Sequence, residues 1–325
     1  MYICVLSSPP DENDIPYDPS SYFTDHRWEH FIPDAINFKS EIDALAAKGF
    51  DAFVNLCDGT PDDELSGIGL VNYLEERNIP FTGANSAFFD PTRSEMKQAA
   101  KDANVPIPGS VFINSITDLN NFDHVLSFPL LVKPLHGYAS VGLSKESRVI
   151  DFAGLQRQTL SILNKFDGAL IEEFIEGREF TTLVVENPDN SDQPVSFQPV
   201  EFLFPPGESF KHFDLKWKEY ELMSVHPVTD KGIDQQLRIL SERQFVSMHG
   251  NGYARCDFRM NADGELFLLE INPNCGIFYP PNEPGSADHI LLNDPAGHLG
   301  FLDLILRSAI KRSIKVNQNA TTKQI

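Results

Sequence analysis

Residues 255–276, RCDFRMNADGELFLLEINPNCG, constrain this chain more than any other stretch. Two apolar-rich runs flank Asn261-Ala262-Asp263-Gly264, where glycine at the last turn position permits the positive φ that a tight β-hairpin needs. Side chains alternate faces along a strand, so Arg255 and Asp257 share one face, and Glu270 and Asn272 share a face on the return strand. Folding about the turn makes Asp257 and Glu270 cross-strand neighbours. Two adjacent carboxylates repel unless a positive charge lies between them. An oxygen-only set suits a hard cation, Mg²⁺ or Mn²⁺, with Asn272 as a third oxygen. A solvated hairpin with ordinary surface carboxylates is the alternative. Phe267, Leu268 and Leu269 oppose it, because they make the return strand apolar on both faces and predict burial.

A chain of 325 residues has room for two or three packed units. Its formal net charge of −21 repels phosphate backbones and anionic membranes, so neither nucleic acid nor membrane is an expected partner. No apolar run reaches the ~18 residues of a membrane span. The opening MYICVLSSPP lacks the basic region and long apolar run of a signal peptide. Cys4, Cys57, Cys256 and Cys275 show no CxxC spacing and read as buried free thiols in a reducing, cytoplasmic compartment.

Along residues 1–90, buried strands at 2–6, 50–56 and 79–82 alternate with helices at 40–47 and 64–77, which predicts a parallel α/β unit. Residues 24–37 fit neither pattern clearly. Asp90-Pro91 predicts a helix start, with Asp as N-cap and Pro at the first helical position, and that helix carries Lys97. Strands follow at 128–132, 169–175, 179–185 and 196–204, with a helix from Asp151 and another from Thr229 or Asp230. Leu302, Ile305, Leu306 and Ala309 mark an amphipathic final helix, and residues 316–325 are expected to be a disordered polar tail.

Three further stretches carry chemistry. Gly137 to Gly142, in LHGYASVGLSK, follows a strand that ends on Lys133. Glycines let such a loop approach a phosphate closely, although the run is neither a Walker A nor a GxGxxG pattern and a plain turn stays open. Residues 170–181, LIEEFIEGREFT, offer carboxylates to an amine or to ribose hydroxyls and a backbone edge to a ring, or else form an exposed acidic rim. The aromatic and basic loop 210–222, with Lys216 and Trp217, suits a lid or a satellite hydrophobic patch.

The run R-x-D-F followed by G-x-L-F-L-L-E-I-N-P resembles the metal-binding end of the ATP-grasp superfamily, and within it the D-alanine–D-alanine ligases. The stretches NLCDG and IPFTG are similar to that family's N-terminal domain. The resemblance implies an α/β N-terminal domain (1–90) and an α+β ATP-grasp fold whose central (91–176) and C-terminal (177–315) subdomains clasp ATP. It implies that Lys97 and Lys133 contact the α and β phosphates under a glycine-rich loop containing Ser140. Glu172, Phe174 and Ile175 would meet the adenine, Glu179 the ribose hydroxyls and Lys216 the γ phosphate. Asp257, Glu270 and Asn272 would hold two Mg²⁺ or Mn²⁺ ions, and Arg255 would stabilise the oxyanion formed on attack.

The implied reaction activates a carboxylate as an acyl phosphate, which an amine attacks with release of ADP and phosphate. A ligase for a larger carboxylic acid and a nucleotide-binding protein without ligase activity are the alternatives. The implied partners are small molecules, an amino acid or other carboxylate and an amine, with a homodimer as the candidate assembly. Two departures bear on substrate. SSPPDE near the start has no Ser-Ala-Glu run, and after Asn272 come Ile277, Phe278 and Tyr279 in place of small polar residues. These three predict a bulky apolar acceptor pocket that disfavours D-alanine. Ser286 or His289 would line the pocket instead if they pack into the core.

Overall fold

A computed structural model describes residues 1–9, 15–60, 63, 65–122, 126–136, 140–217, 219 and 222–322, the side chains at 120, 121, 217 and 315–322 excepted. The chain opens with β1 (Tyr2–Ser7), β2 (Arg27–Phe31), α1 (Phe38–Ala46), β3 (Ala52–Leu56) and α2 (Gly67–Glu76). The strands form a parallel sheet in the order β2-β1-β3. A central parallel strand is covered on both faces, which is why Ile3 to Leu6 form an unbroken apolar run with no exposed surface. The unassigned stretch 24–37 supplies edge strand β2. The strand expected at 79–82 is only a bridge between Phe53 and Phe81. Pro80 has no N–H to extend the ladder, and Gly83 turns the chain away at φ +89°.

The helix bearing Lys97, α3 (Arg93–Asp102), starts two residues later than the Asp90-Pro91 signal predicts. Thr92 is its N-cap: Glu95 N–H donates to Thr92 Oγ1 (3.2 Å) and Thr92 N–H donates to the Glu95 carboxylate (2.8 Å), a reciprocal capping box. Next come β4 (Ser110–Ile113), β5 (Leu130–Pro134), β6 (Arg148–Val149), α4 (Phe152–Leu163) and β7 (Ala169–Glu173), in an antiparallel sheet ordered β4-β7-β5-β6. The third sheet uses β8 (Arg178–Val185), β9 (Val195–Ser196), β10 (Val200–Leu203), β11 (Ser224–Pro227), β12 (Tyr253–Met260) and β13 (Leu266–Pro273). Its order is β11-β10-β8-β12-β13, with β9 on β8. A short α5 (Phe213–Trp217), a long α6 (Lys231–Ser247), α7 (Ser286–Asn293) and α8 (Gly297–Thr322) complete the fold.

Residues 93–105 pack on the third sheet rather than the second: Ala100 and Val105 share a core with Leu237 and Phe245 of α6 and with Phe258 and Leu268. Gln244 and Ser247 of α6 donate to the Met96 and Ala99 carbonyls (3.0 and 2.9 Å). One face of β8 presents Glu179, Thr181, Leu183 and Val185 in succession. Its apolar half joins a core with α7, α8 and the first sheet. Its polar half, Glu179 and Thr181, lies level with Arg259 and Asp257 of β12.

The final helix is longer than the sequence predicts. It continues to Thr322, with no glycine or proline after Gly300 to stop it, so the expected disordered tail from residue 316 is helical backbone for most of its length. Among the described residues no helix is long and apolar enough to cross a membrane. All four cysteines are free and buried.

The first sheet meets the third where Gly83 approaches Gly252. Arg312 of α8 closes the seam, donating to the Phe81 and Gly83 carbonyls (2.8 and 3.2 Å) and to Glu186 (2.5 Å). A Cβ on Gly252 would lie 2.1 Å from the Gly83 carbonyl oxygen, at φ +64°. Gly252→Ala is therefore expected to destabilise the protein by about 2–4 kcal/mol. Chemical denaturation of the two proteins side by side measures this, and an unchanged midpoint would show that the seam yields.

Candidate active site

Strand register assembles the site. On β12, Asp257 lies opposite Thr181 of β8 and Glu270 of β13, Arg255 opposite Asn272, and Arg259 opposite Glu179. Between Asp257 and Phe258 the β12–β13 ladder slips by one residue. The bulge falls at Leu269 and aims it toward α3, where it lines a narrow crevice with Arg93, Met96, Lys97, Leu170 and Glu172. Asn261 and Gly264, at φ +82°, close the hairpin as the sequence predicts.

Asp257 is held from four directions. Arg255 donates through Nε to Oδ1 (3.0 Å) and through Nη2 to Oδ2 (2.9 Å), Thr181 Oγ1 donates to Oδ1 (2.6 Å), and Asn272 Nδ2 donates to Oδ2 (3.2 Å). Burial alone would raise the Asp257 carboxyl, but Arg255 outweighs it and keeps the group ionised well below the usual carboxylate range. Glu270, across the hairpin, pairs with Arg93 Nη1 (3.3 Å). Burial opposes its charge too, and Arg93 and then Lys133 hold its pKa down. Both carboxylates are thus ionised, and two anionic oxygen donors beside an amide are the kind of ligand a hard cation such as Mg²⁺ could take. Among the described residues no three His, Cys, Asp or Glu side chains cluster as a metal site.

A second cluster lies beyond Arg93, along the crevice that Lys97 and Glu172 line. Glu172 on β7 is buried between Lys97 of α3, whose Nζ is 2.5 Å from Oε1, and Lys133 of β5, which binds Oε2. Lys133 is a diagonal neighbour of Glu172 in the β5–β7 ladder, on the same face. Burial would raise the Glu172 carboxyl, but Lys133 and Lys97 bring it down to about 2. The Lys133 ammonium is shifted down by burial, with Glu172 opposing the shift.

Glu179 is held by Arg259 Nη1 (3.0 Å) and Lys211 Nζ (3.2 Å). Arg259 also donates to the carbonyls of Ile175 (2.5 Å), Gly177 (2.9 Å) and Ser209 (2.8 Å), bracing the segment between β7 and β8. The Phe174 ring lies under the Arg259 and Arg148 guanidinium groups (4.7 and 5.0 Å), and Phe174 N–H donates to the Pro129 carbonyl (2.9 Å).

The two loops singled out in the sequence dock on each other. Ser140 Oγ donates to the Lys211 carbonyl (3.3 Å), Phe213 N–H donates to the Leu143 carbonyl (3.1 Å), and Lys145 pairs with Glu208. Gly137 lies outside the described residues, as does the Trp217 side chain. Lys216 sits on α5, where burial lowers its ammonium pKa to about 8; Arg255 adds to that shift, and Glu270 opposes it.

The acceptor expectation needs correction. Ile277 and Phe278 are fully buried, Phe278 among Phe23, Tyr22 and Phe301. Asn274 and Phe278 both adopt left-handed backbone (φ +48° and +66°), which turns the chain inward. Asp288, itself buried, fixes that turn by accepting from Phe278 N–H (2.9 Å) and pairing with His298 (2.8 Å). Tyr279 alone of the three stays beside the cleft. Its ring packs on Tyr17 (4.7 Å between centroids), Tyr17 donates to Asp58 (2.8 Å), and both tyrosine hydroxyls approach Gly276. Ser286 and His289 are half-buried on α7.

The structure thus brings Arg255, Asp257, Glu270 and Asn272 together, joins Lys97, Lys133 and Glu172, and sets Glu179 beside Arg259. Sequence reasoning missed Arg93, Thr181, Lys211 and Arg259. The alternation Arg255, Asp257, Arg259 would have found the last of these, since it continues one strand face.

Residues 110–279, more than half of the chain, match the family model described as D-ala D-ala ligase C-terminus. The chain is 28% identical over 260 residues to the D-alanine–D-alanine ligase of Stutzerimonas stutzeri (strain A1501), covering 76% of this chain and 72% of that protein. It is 27% identical over 249 residues to the Acinetobacter baylyi (strain ATCC 33305 / BD413 / ADP1) ligase, covering 75% and 72%. The fold superposes on the D-alanine–D-alanine ligase from Coxiella burnetii with a TM-score of 0.70 at 15% identity, over 100% of this chain and 98% of that one. On the Bacillus anthracis ligase complexed with ATP it gives 0.68 at 16% identity, over 97% and 99%. The hairpin with its paired acids and the Glu172 cluster both fall inside the matched region, and the whole chain shares the ATP-grasp architecture of these enzymes: it belongs to the D-alanine–D-alanine ligase family.

Proposed function

We propose that this protein is an ATP-dependent carboxylate–amine ligase. The observation that carries the reading is the pair of ionised acids, Asp257 and Glu270, opposite each other across a half-buried hairpin with Arg255 bound to one of them. Lys97, Lys133 and Glu172 stand in the same cleft. In this reading the adenine edge meets the Phe174 carbonyl and the Ile175 N–H, which lie between the contacts to Pro129 and Arg259. Glu179 accepts from the ribose hydroxyls. Lys97, Lys133 and Lys216 neutralise phosphate oxygens while the glycine-rich run containing Ser140 closes over them. Asp257, Glu270 and Asn272 would hold divalent cations, two by family likeness, which would supply charge neutralisation at the phosphate oxygens.

A substrate carboxylate oxygen attacks the γ phosphorus, the bond to ADP breaks, and an amine then displaces phosphate from the acyl carbon and loses a proton. Arg255 meets the oxyanion of that second step. The substrates are small molecules, consistent with the net charge of −21, and four buried free thiols favour a reducing, cytoplasmic setting. Incubation with Mg²⁺-ATP and pairs of amino acids or small carboxylic acids, with ADP and phosphate release followed, tests the reading. Release only when both a carboxylate and an amine are present supports it. ADP binding without turnover across the panel would favour a nucleotide-binding protein instead.

Glu270→Gln and Asp257→Asn are expected to lower turnover by about 10²-fold or more while circular dichroism stays that of the wild type. Full activity in Glu270→Gln would remove the metal assignment.

Lys216 gives a pH signature. Its free-enzyme pKa of about 8 means that the ammonium is present below that value and lost above it. The kcat/KM for ATP is therefore expected to fall as pH rises through about 8, and Lys216→Arg, which stays charged, should move that limb upward. A flat profile up to roughly pH 9.5 would exclude Lys216 from phosphate neutralisation.

With Ile277 and Phe278 in the core, acceptor size falls to Tyr279 and Tyr17. Tyr279→Ala is expected to shift relative kcat/KM toward bulkier amines by roughly 10-fold. Phe278→Ala should leave the ratio alone and cost about 3–5 kcal/mol of stability. Equal ratios in the wild type and Tyr279→Ala would place the acceptor elsewhere.

A further inference from the structure

We infer that Asp58, with Tyr17 and Tyr279, is an anionic subsite that selects an acceptor amine carrying a second positive charge, such as a diamine; this rests on the ligase reading of the cleft. Topology puts the three residues at a crevice. In the first sheet the chain passes from β1 to β2 on one side, whereas from β3 it passes through α2 to the Phe81 bridge on the other. The paths therefore diverge between the carboxyl ends of β1 and β3, where open parallel sheets bind their ligands. Tyr17 follows β1, and Asp58 comes two residues after β3. The C-terminal part of the chain covers this point with Gly276, four residues beyond Asn272. A Cβ on Gly276 would lie 2.6 Å from the Tyr279 hydroxyl and 3.1 Å from the Tyr17 hydroxyl. Its neighbour Cys275 lies in the fields of Arg255 and Asp257, so both phenols stand beside the group that meets the oxyanion.

The chemistry of the three residues favours a cation. Tyr17 Oη donates to Asp58 Oδ2 (2.8 Å), and its ring packs on that of Tyr279 at 4.7 Å between centroids. Burial and then the Asp58 charge push the Tyr17 phenol up, so it keeps its proton and orients the carboxylate without neutralising it. Asp58 itself is exposed and open to a ligand. A carboxylate beside two phenol oxygens and two ring faces suits an ammonium, through charge-assisted hydrogen bonds and cation–π attraction. The cations nearest the hairpin are already bound, Arg255 to Asp257 and Lys211 to Glu179. An acceptor with its own carboxylate would meet a like charge at Asp58.

The alternative is that Tyr17 and Asp58 only clasp the first sheet to residues 276–279, and acceptors that differ in charge separate the two. The probes are putrescine, the corresponding terminal amino-alcohol and γ-aminobutyrate, which are cationic, neutral and anionic at the end away from the attacking amine. With Mg²⁺-ATP and each carboxylic acid of the panel above, ADP release on the full chain gives kcat/KM for each amine in the wild type, Asp58→Asn and Asp58→Lys. A subsite at Asp58 predicts about 10-fold or greater preference for putrescine over the amino-alcohol, with γ-aminobutyrate poorer still. The series should collapse to within about twofold in Asp58→Asn and reverse in Asp58→Lys. A charge preference unchanged in Asp58→Asn, a wild type that favours γ-aminobutyrate, or release with α-amino acid acceptors but with none of these amines overturns the inference. Should one variant not fold, the wild-type order and the other variant decide by the same criteria. A wild type that releases ADP with no pair of carboxylate and amine refutes the ligase reading itself, which is a different outcome from these.

Discussion

The cleft depends on one buried carboxylate. Glu172 lies in a wall with almost no solvent contact, where an unpaired charge costs several kcal/mol, and two lysines answer it. The lysines come from different bodies. Lys133 belongs to the second sheet, as Glu172 does, whereas Lys97 arrives on a helix fastened to the third sheet. A single carboxylate therefore sets the separation of the two sheets along that wall. Much else is fixed in consequence. The position of α3 determines where Arg93 meets Glu270. Strand β5 leads into the glycine-rich run, and β7 leads into the segment that Arg259 braces.

The opposite wall is built by strand pairing. A β-bulge between paired acids lets Asp257 and Glu270 stay opposed while Leu269 is re-aimed toward the crevice. Of three alternate residues on β12, Asp257 bonds to Thr181 of β8 and Asn272 of β13, Arg259 to Glu179 of β8, and Arg255 to Asp257, so the polar half of that sheet face is ordered. The apolar half of the same face anchors α7 and α8. Site and core are thus two ends of one surface, and a change that tilts α8 would be felt at Arg255.

What the sequence revealed and what it hid divide along physical lines. The hairpin was legible because alternation and a glycine turn are local, whereas the bulge at Leu269, which shifts the register so that Asp257 opposes Glu270, was not. Helix α4 was legible for the same reason, with Asp151 capping Gly154. The α3 start was misread because Asp90-Pro91 imitates the cap that Thr92 and Glu95 make. Arg93 and Lys211 were invisible, since nothing local marks a surface-type residue whose partner lies far away in sequence. Ile277 and Phe278 were placed in a pocket because their neighbours are site residues. Two left-handed residues and the buried Asp288 turn them into the core instead, and backbone conformation at non-glycine positions leaves no mark in composition.

The charge distribution follows the same logic of pairing. A chain of net charge −21 repels a polyphosphate at long range, and salt confines that repulsion to about 8 Å. Binding therefore depends on cations gathered at the cleft, yet cations gathered without partners would repel one another and open it. The structure resolves this by pairing: Lys97 and Lys133 with Glu172, Arg255 with Asp257, Arg93 with Glu270, and Arg259 and Lys211 with Glu179. Each pair holds its cation in place without a ligand, and in the proposed reading an arriving phosphate or ribose would share it. Lys216 shows the limit of the device. Burial and the nearby Arg255 weigh more on it than the attraction of Glu270, so its ammonium pKa falls to about 8 and a nearby anion would raise it again.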